Sequence, residues 1–145
     1  VCSSDLIILE RHIDVSGRES SQVLEFAYLN SHYQSGLKNL LDIAVLKHVE
    51  VHEKLHDVDS YKKIDEIPFD FQRRRMSVIV QKNDEVHILI CKGAVEEIFS
   101  CCKYAQIGDD FVLLDGQLIF KLRHPSSSTC LSVFVRFSWS FGIKL

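Results

Sequence analysis

The chain predicts an α+β fold, and three features carry that expectation. Two helix-period segments come early, around residues 21–33 and 39–48. Two alternating apolar runs, one on each side of Lys82-Asn83-Asp84-Glu85, read as an antiparallel hairpin. A further helical segment stands between that hairpin and a second one, with no strand–helix–strand repeat. Together they predict a mostly antiparallel, twisted sheet flanked by helices.

In chain order, Leu6 to Leu9 is a short apolar run that predicts a strand. Arg11 to Ser20 predicts a loop that turns at Ser16-Gly17. From Ser21 onward, Val23, Leu24, Ala27 and Tyr28 fall on one helical face, and Ser35-Gly36 interrupts the pattern. Asn39 opens a second helix with Asp42 three residues on, the spacing of a capping box, with Leu41, Ala44, Val45 and His48 as its inner stripe. The charged stretch His48 to Ser60 is expected to loop out after that helix. Ile67, Phe69 and Phe71 alternate in the next run, and Met76, Val78 and Val80 in the one after it. Val86 to Cys91 pairs back across the turn. Lys92-Gly93-Ala94 leads into a helix with Val95, Ile98, Phe99 and Cys102 on one face, Glu96 and Glu97 at its start and Lys103 at its end. YAQIGDDFVLLD predicts a hairpin turning at Gly108-Asp109. After about Leu118 the character changes: HPSSSTC reads as a loop, and LSVFVRFSWSFGIKL as strand-like but poorly patterned.

At 145 residues, 46% hydrophobic and 26% charged, the chain has the size and composition of one ordinary domain. A folded chain of this length buries roughly 70% of the surface its unfolded form exposes, enough for a core without disulfides or metal. The net charge is −3, from 17 basic and 20 acidic residues, which argues against a general binder of nucleic acid or anionic membrane. Cys2, Cys91, Cys101, Cys102 and Cys130 are odd in number and contain no C-x-x-C pair, so reduced thiols acting as small core hydrophobes are expected. No uncharged apolar stretch approaches the ~18 residues of a membrane span. No basic start followed by an apolar run suggests a signal peptide.

Two stretches carry candidate chemistry. In EIPFDFQRRRMSVIV, strand alternation puts Arg74 on the face of Met76, Val78 and Val80, while Arg73 and Arg75 point the other way. If Phe69 and Phe71 abut that strand, an aromatic ring lies beside a guanidinium at the rim of an apolar surface. A planar base can stack on the ring, and its phosphates can pair with the arginine. A solvated arginine turn beside core phenylalanines is the plainer alternative. In Cys91-Lys92-Gly93-Ala94, a lysine and a glycine sit where a strand hands over to a helix. Gly93 would let a ligand approach the backbone and Lys92 would meet phosphate or a ring nitrogen; the alternative is a surface lysine at a strand end.

The F-x-x-x-x-R-x-M-S-V pattern of Phe69 to Val78, followed by C-K-G-A, resembles the nucleotide-binding domain of P-type ATPases. The wording of RHIDVSG, LNSHYQSGLKNLLDIAVL and YKKIDEIPFDFQRRRMSV is most similar to the bacterial magnesium-transporting subgroup. The resemblance covers about residues 5–118, leaving 1–4 and 119–145 unmatched, the latter a candidate to complete the sheet. It implies a cytosolic domain, on the cytoplasmic face of the bacterial inner membrane and not touching it, that holds ATP as Mg-ATP. Its partners would be ATP and the phosphorylation and actuator domains of the same pump, with no nucleic acid. Phe69 matches the aromatic that stacks on adenine, and Arg74 the basic position near the ring and phosphates. Lys92 and Gly93 match the pocket floor, with Met76 in the same nucleotide-binding set. Asp42 matches the acidic residue near the adenine amino group, with helix capping as the alternative or additional role.

The phosphorylated aspartate of that family lies in D-K-T-G-T-L-T. Asp5-Leu6-Ile7-Ile8 resembles the segment directly after it, but Val1 to Ser4 do not match the motif. The chain is therefore expected to bind nucleotide without hydrolysing it, and no catalytic residue is assigned. Arg136 stands in surroundings unlike the family's phosphate-contacting arginine, and that role is not carried over. Two rival readings remain from other classes. One is a noncatalytic interaction module that uses Arg73 to Arg75. The other is a metal site at His48, His52 and His56, which are spaced for one helix face but have no fourth ligand.

Overall fold

The computed structural model describes residues 9, 12–52, 60–83, 86–123 and 133–140; side chains are described within these except at 49–52, 122–123 and 133–140. The described elements are helix α1 (Ser21–Tyr33), helix α2 (Leu40–His52), strands β1 (Tyr61–Asp70), β2 (Arg75–Lys82) and β3 (Val86–Gly93), helix α3 (Val95–Cys101), strands β4 (Tyr104–Ile107) and β5 (Asp110–Leu113), helix α4 (Gly116–Arg123) and strand β6 (Val133–Ser140). The fold is α+β with antiparallel sheets flanked by helices, as the sequence predicts.

The main sheet has the order β1-β2-β3-β6, every neighbour antiparallel. The β2–β3 ladder runs without a break from Arg75↔Gly93 to Lys82↔Val86. Asn83, at φ 52°, takes the left-handed conformation that this tight reversal needs and that asparagine tolerates. β1 is an edge strand with register shifts between Lys63 and Asp65 and between Ile67 and Asp70. The second shift contains Pro68, which lacks the N–H a central strand would need. The strand-like tail contributes β6, so the last-described strand lies beside β3 rather than beside β5.

Alternation along β2 and β3 sends Met76, Val78, Val80, Ile88 and Ile90 to one face, where they meet Phe26 and Leu29 of α1 and Tyr61 of β1 in a single cluster. Polar bonds fix the helix on the sheet. Asn30 Nδ2 donates to the Ile90 carbonyl at 3.0 Å, and the Tyr33 hydroxyl donates to the Tyr61 carbonyl at 2.7 Å. Burying these donors with partners avoids the cost of leaving them dry and unpaired. α3 packs against β3 and β6 through buried Ile98 and Phe99.

Several local expectations need correction. The buried face of α1 is Leu24, Phe26, Ala27, Leu29, Asn30 and Ser31, with Val23 and Tyr28 only half-buried. α2 continues to His52 instead of leaving the helix at His48. Phe71 lies in the turn after β1, not in the strand. Arg74 has φ 48°, so strand alternation does not govern it. The last turn of α3 holds no basic residue; Cys102 caps it, and Lys103 lies over the Tyr104 ring instead, 5.8 Å from its centroid. An unexpected helix, α4, follows the β4–β5 hairpin. The expected strand at Leu6 to Leu9 and the loop at HPSSSTC fall outside the described residues, apart from Leu9, which is in no regular element.

Ile90 is wholly buried beneath α1, whereas Ile64 on the edge strand is exposed. Ile90→Ala is expected to lower unfolding free energy by about 2–5 kcal/mol. Ile64→Ala should stay within about 0.5 kcal/mol. Urea unfolding of the two variants checks the packing directly.

Candidate functional site

One cleft, about 600 Å³ in volume, lies where the α1–α2 connection, the β1–β2 turn and the end of β3 meet. Sites for small molecules typically run about 300–1,000 Å³. Its lining includes Asp42, Phe69, Arg74, Met76, Lys92 and Gly93, all six residues that the sequence singled out. Gln34, Leu37, Asn39, Phe71 and Ala94 complete it.

The floor is built from a buried ion pair. Asn39 caps α2: its Oδ1 accepts the Asp42 N–H at 2.9 Å, and Asp42 Oδ2 accepts the Asn39 N–H at 3.1 Å. This is a reciprocal capping box with aspartate in the third helical position. The remaining acceptor sites of Asp42 face inward. Oδ1 accepts from Ser31 Oγ at 2.8 Å and from Lys92 Nζ, and Oδ2 accepts from Gln34 Nε2 at 2.8 Å. A carboxylate offers about four such sites, so Asp42 is saturated by its own chain. Asp42 is 2% exposed and Lys92 7%. Burial by itself raises the Asp42 carboxyl; the hydrogen bonds from Lys92, Gln34 and Ser31 and the Lys92 charge outweigh it and hold the group below its ordinary value.

The rim is aromatic and cationic. Phe69 and Phe71 meet edge-to-face at 5.3 Å, yet remain 52% and 89% exposed. Asp70 shapes the turn between them: its Oδ1 accepts the Gln72 N–H at 2.7 Å and its Oδ2 accepts Arg73 Nε at 2.8 Å. Arg74, in its left-handed conformation, donates its N–H to the Asp70 carbonyl at 2.6 Å and accepts the Ala94 N–H at 3.1 Å. That second bond ties the turn to the end of β3. The three arginines therefore divide: Arg73 pairs with Asp70, and Arg75 Nη1 donates to the Glu97 carbonyl at 3.4 Å. Arg74 has no side-chain hydrogen bond or ion pair among the described residues.

Gly93 also makes room within the chain itself. A Cβ there would stand 2.6 Å from Arg75 Cβ and 2.7 Å from the Arg74 carbonyl oxygen. The missing side chain makes room for the protein's own turn, which is what seats Arg74 at the rim. Gln34 and Leu37 were missed by sequence reading; only their place between two capped helices could have signalled them.

No group of three metal-ligating side chains occurs among the described residues; of the three histidines considered for a metal site, the His52 side chain and all of His56 lie outside them. Cys91, Cys101 and Cys102 are free thiols. Burial pushes Cys91 up, and burial together with neighbouring Cys101 pushes Cys102 up to about 12, so neither is a ready thiolate nucleophile.

Residues 37–125 match the family model for the P-type ATPase, cytoplasmic domain N. The chain belongs to this family. The matched segment runs from Leu37 at the cleft through α4. Among curated relatives, the magnesium-transporting ATPase, P-type 1, of Escherichia coli K12 is 49% identical over 126 residues, 87% of this chain. The protein of the same name from Salmonella typhimurium LT2 is also 49% identical over 126 residues, and a second match in that strain is 46% identical over 115. The chain spans 14% of the length of the first two and 12% of the third. No described helix of this N domain is long and apolar enough to cross a membrane.

Removing one member of the floor pair leaves the other buried and uncompensated. Asp42→Ala is expected to cost about 3–5 kcal/mol. The double variant Asp42→Ala/Lys92→Met should fall short of the summed single effects by about 0.5–3 kcal/mol. The folded-state pKa of Asp42 is depressed, so its contribution is complete above the ordinary value of 3.8 and disappears as pH falls through the lower folded value. Urea midpoints of the wild type and the three variants, compared from pH 7 to pH 2, measure both effects.

Proposed function

We propose that this N domain holds the adenine nucleotide of a magnesium-transporting P-type pump and presents its γ-phosphate to an aspartate on the phosphorylation domain. The observation that carries the proposal is one cleft lined by the exposed Phe69 and Phe71 rings, by Arg74 and by Lys92. The chemistry of the donor set fits the ligand. An exposed aromatic face suits a base, with stacking worth about 1–3 kcal/mol. A guanidinium without a side-chain partner among the described residues suits a phosphate chain. Lys92 donates to Asp42 and, at 3.5 Å, to Gln34 Oε1, which leaves one N–H of three, whereas Asp42 has no acceptor site to spare. We therefore read Asp42 as the group that orients Lys92 rather than as the reader of an adenine amino group.

The relatives' name supports magnesium as the transported ion, since nothing in the cleft bears on it. In the whole pump the domain would sit at the cytoplasmic face of the bacterial inner membrane, with the phosphorylation and actuator domains as neighbours. Its share of catalysis is positioning: gripping the nucleotide so that reacting atoms meet across a hinge. This chain alone would bind Mg-ATP and release no phosphate. An acidic-partner module built on Arg73 to Arg75 finds less support, because Arg73 and Arg75 are already engaged by Asp70 and by the Glu97 carbonyl.

Titrating Mg-ATP into the labelled chain should move the backbone amide signals of Phe69, Arg74, Lys92 and Gly93. Phe69→Ala should weaken binding by about 5- to 100-fold, with the melting temperature unchanged because the ring is half exposed. A flat titration of the wild type overturns the nucleotide reading.

A further inference from the structure

Residues 34–39 connect α1 to α2, and Leu37 stands near the middle of them, fully exposed. A lone exposed leucine carries no message. Here it lines the same cleft as Phe69 and Phe71, which come from a different connection. Three large apolar side chains with little burial of their own thus surround one space above a polar floor.

The Leu37 segment is pinned at both ends. The Ser35 N–H donates to Glu66 Oε2 at 3.0 Å, and Ser35 Oγ donates to Glu66 Oε1. Lys63 Nζ also donates to Glu66 Oε2, at 2.5 Å. Glu66 lies on β1, three residues before Phe69. At the other end, Asn39 is bonded to Asp42 in the capping box. The strand that carries the aromatic ring thus also holds the segment that carries the leucine.

The geometry points to Leu37 as the second wall of the base slot: a purine stacked on Phe69 packs its opposite face against Leu37, and Glu66 positions Leu37 through Ser35. This assignment rests on the nucleotide reading of the cleft and adds a selectivity to it. Two apolar walls reward the area of the inserted ring, so a bicyclic purine gains more than a pyrimidine. Arg74 at the rim leaves the anionic part of the ligand outside the walls.

Because Leu37 buries nothing in the free protein, Leu37→Ala should unfold at the wild-type urea midpoint. It should weaken ATP binding about tenfold in calorimetry, and reduce the preference for ATP over CTP. Leu37→Met should retain both. Glu66→Ala should shift affinity the same way as Leu37→Ala. In the wild type, adenosine should move the amide signals of Ser35 to Lys38, whereas inorganic triphosphate should leave them in place. Unchanged ATP affinity in Leu37→Ala, alongside a loss in Phe69→Ala, overturns the second wall and leaves the nucleotide reading standing. A lowered urea midpoint for Leu37→Ala assigns the residue to the fold and overturns it as well. Absence of ATP binding by the wild type removes both readings together.

Discussion

The fold around the cleft turns on one buried contact, the pairing of Asp42 with Lys92 across 50 residues of sequence. Asp42 belongs to the first turn of α2 and Lys92 to the end of β3. Ser31 and Gln34 bring α1 and its C-cap to the same carboxylate. A single side chain thus fixes the start of one helix, the end of another and the last residues of a central strand. Such a pair adds little net stability over a well-packed apolar substitute, because desolvation offsets most of the attraction. Its effect is on geometry, since any arrangement that separates the partners strands a charge in the interior. The pair thereby holds the α1–α2 connection against the end of β3, to which the Ala94–Arg74 bond ties the β1–β2 turn, above a floor without net charge.

The central hairpin was legible because Met76, Val78, Val80, Ile88 and Ile90 recur at every second position on one face, on either side of a polar turn. The face of α1 was read wrongly for an equally physical reason. It buries Asn30 and Ser31, which donate to the Ile90 carbonyl and to Asp42, and apolar periodicity cannot detect a polar residue that such a bond carries into the interior. The end of α2 was missed because a charged stretch reads like a loop, although a helix with one exposed face carries charges equally well. The alternation assigned to Arg74 failed at a left-handed residue, a conformation that no spacing rule anticipates for arginine.

At the cleft, the family pattern led to six residues that do share one lining, yet it could not say how each is used there. The capping role of Asp42 was visible in the Asn39–Asp42 spacing. Its partner was not, because nothing local in Cys91-Lys92-Gly93 indicates that the lysine turns inward. Gly93 was noticed for its open backbone, and the structure adds a neighbour that spacing does not indicate: Arg75 Cβ and the Arg74 carbonyl occupy the room a side chain would need. Leu37 and Gln34 carried no signal, since a connection containing Ser35-Gly36 looks like punctuation between helices.

Three consecutive arginines beside exposed phenylalanines in an acidic chain are accommodated by dividing the charges. Arg73 is held by Asp70 within its own turn, and Arg75 reaches the Glu97 carbonyl. Lys92 is matched by Asp42 in the floor. Arg74 is left as the cation lining the cleft without an acidic partner among the described residues, and its left-handed backbone is secured on one side by the Asp70 carbonyl and on the other by Ala94. A surface built to dock an acidic protein would spread several such charges over a wide face. One guanidinium beside apolar walls and above a neutralised floor has the proportions of a small ligand with an uncharged planar end and an anionic end. That proportion is the physical ground for reading the cleft as a nucleotide site, and it comes from where the charges are cancelled as much as from where they remain.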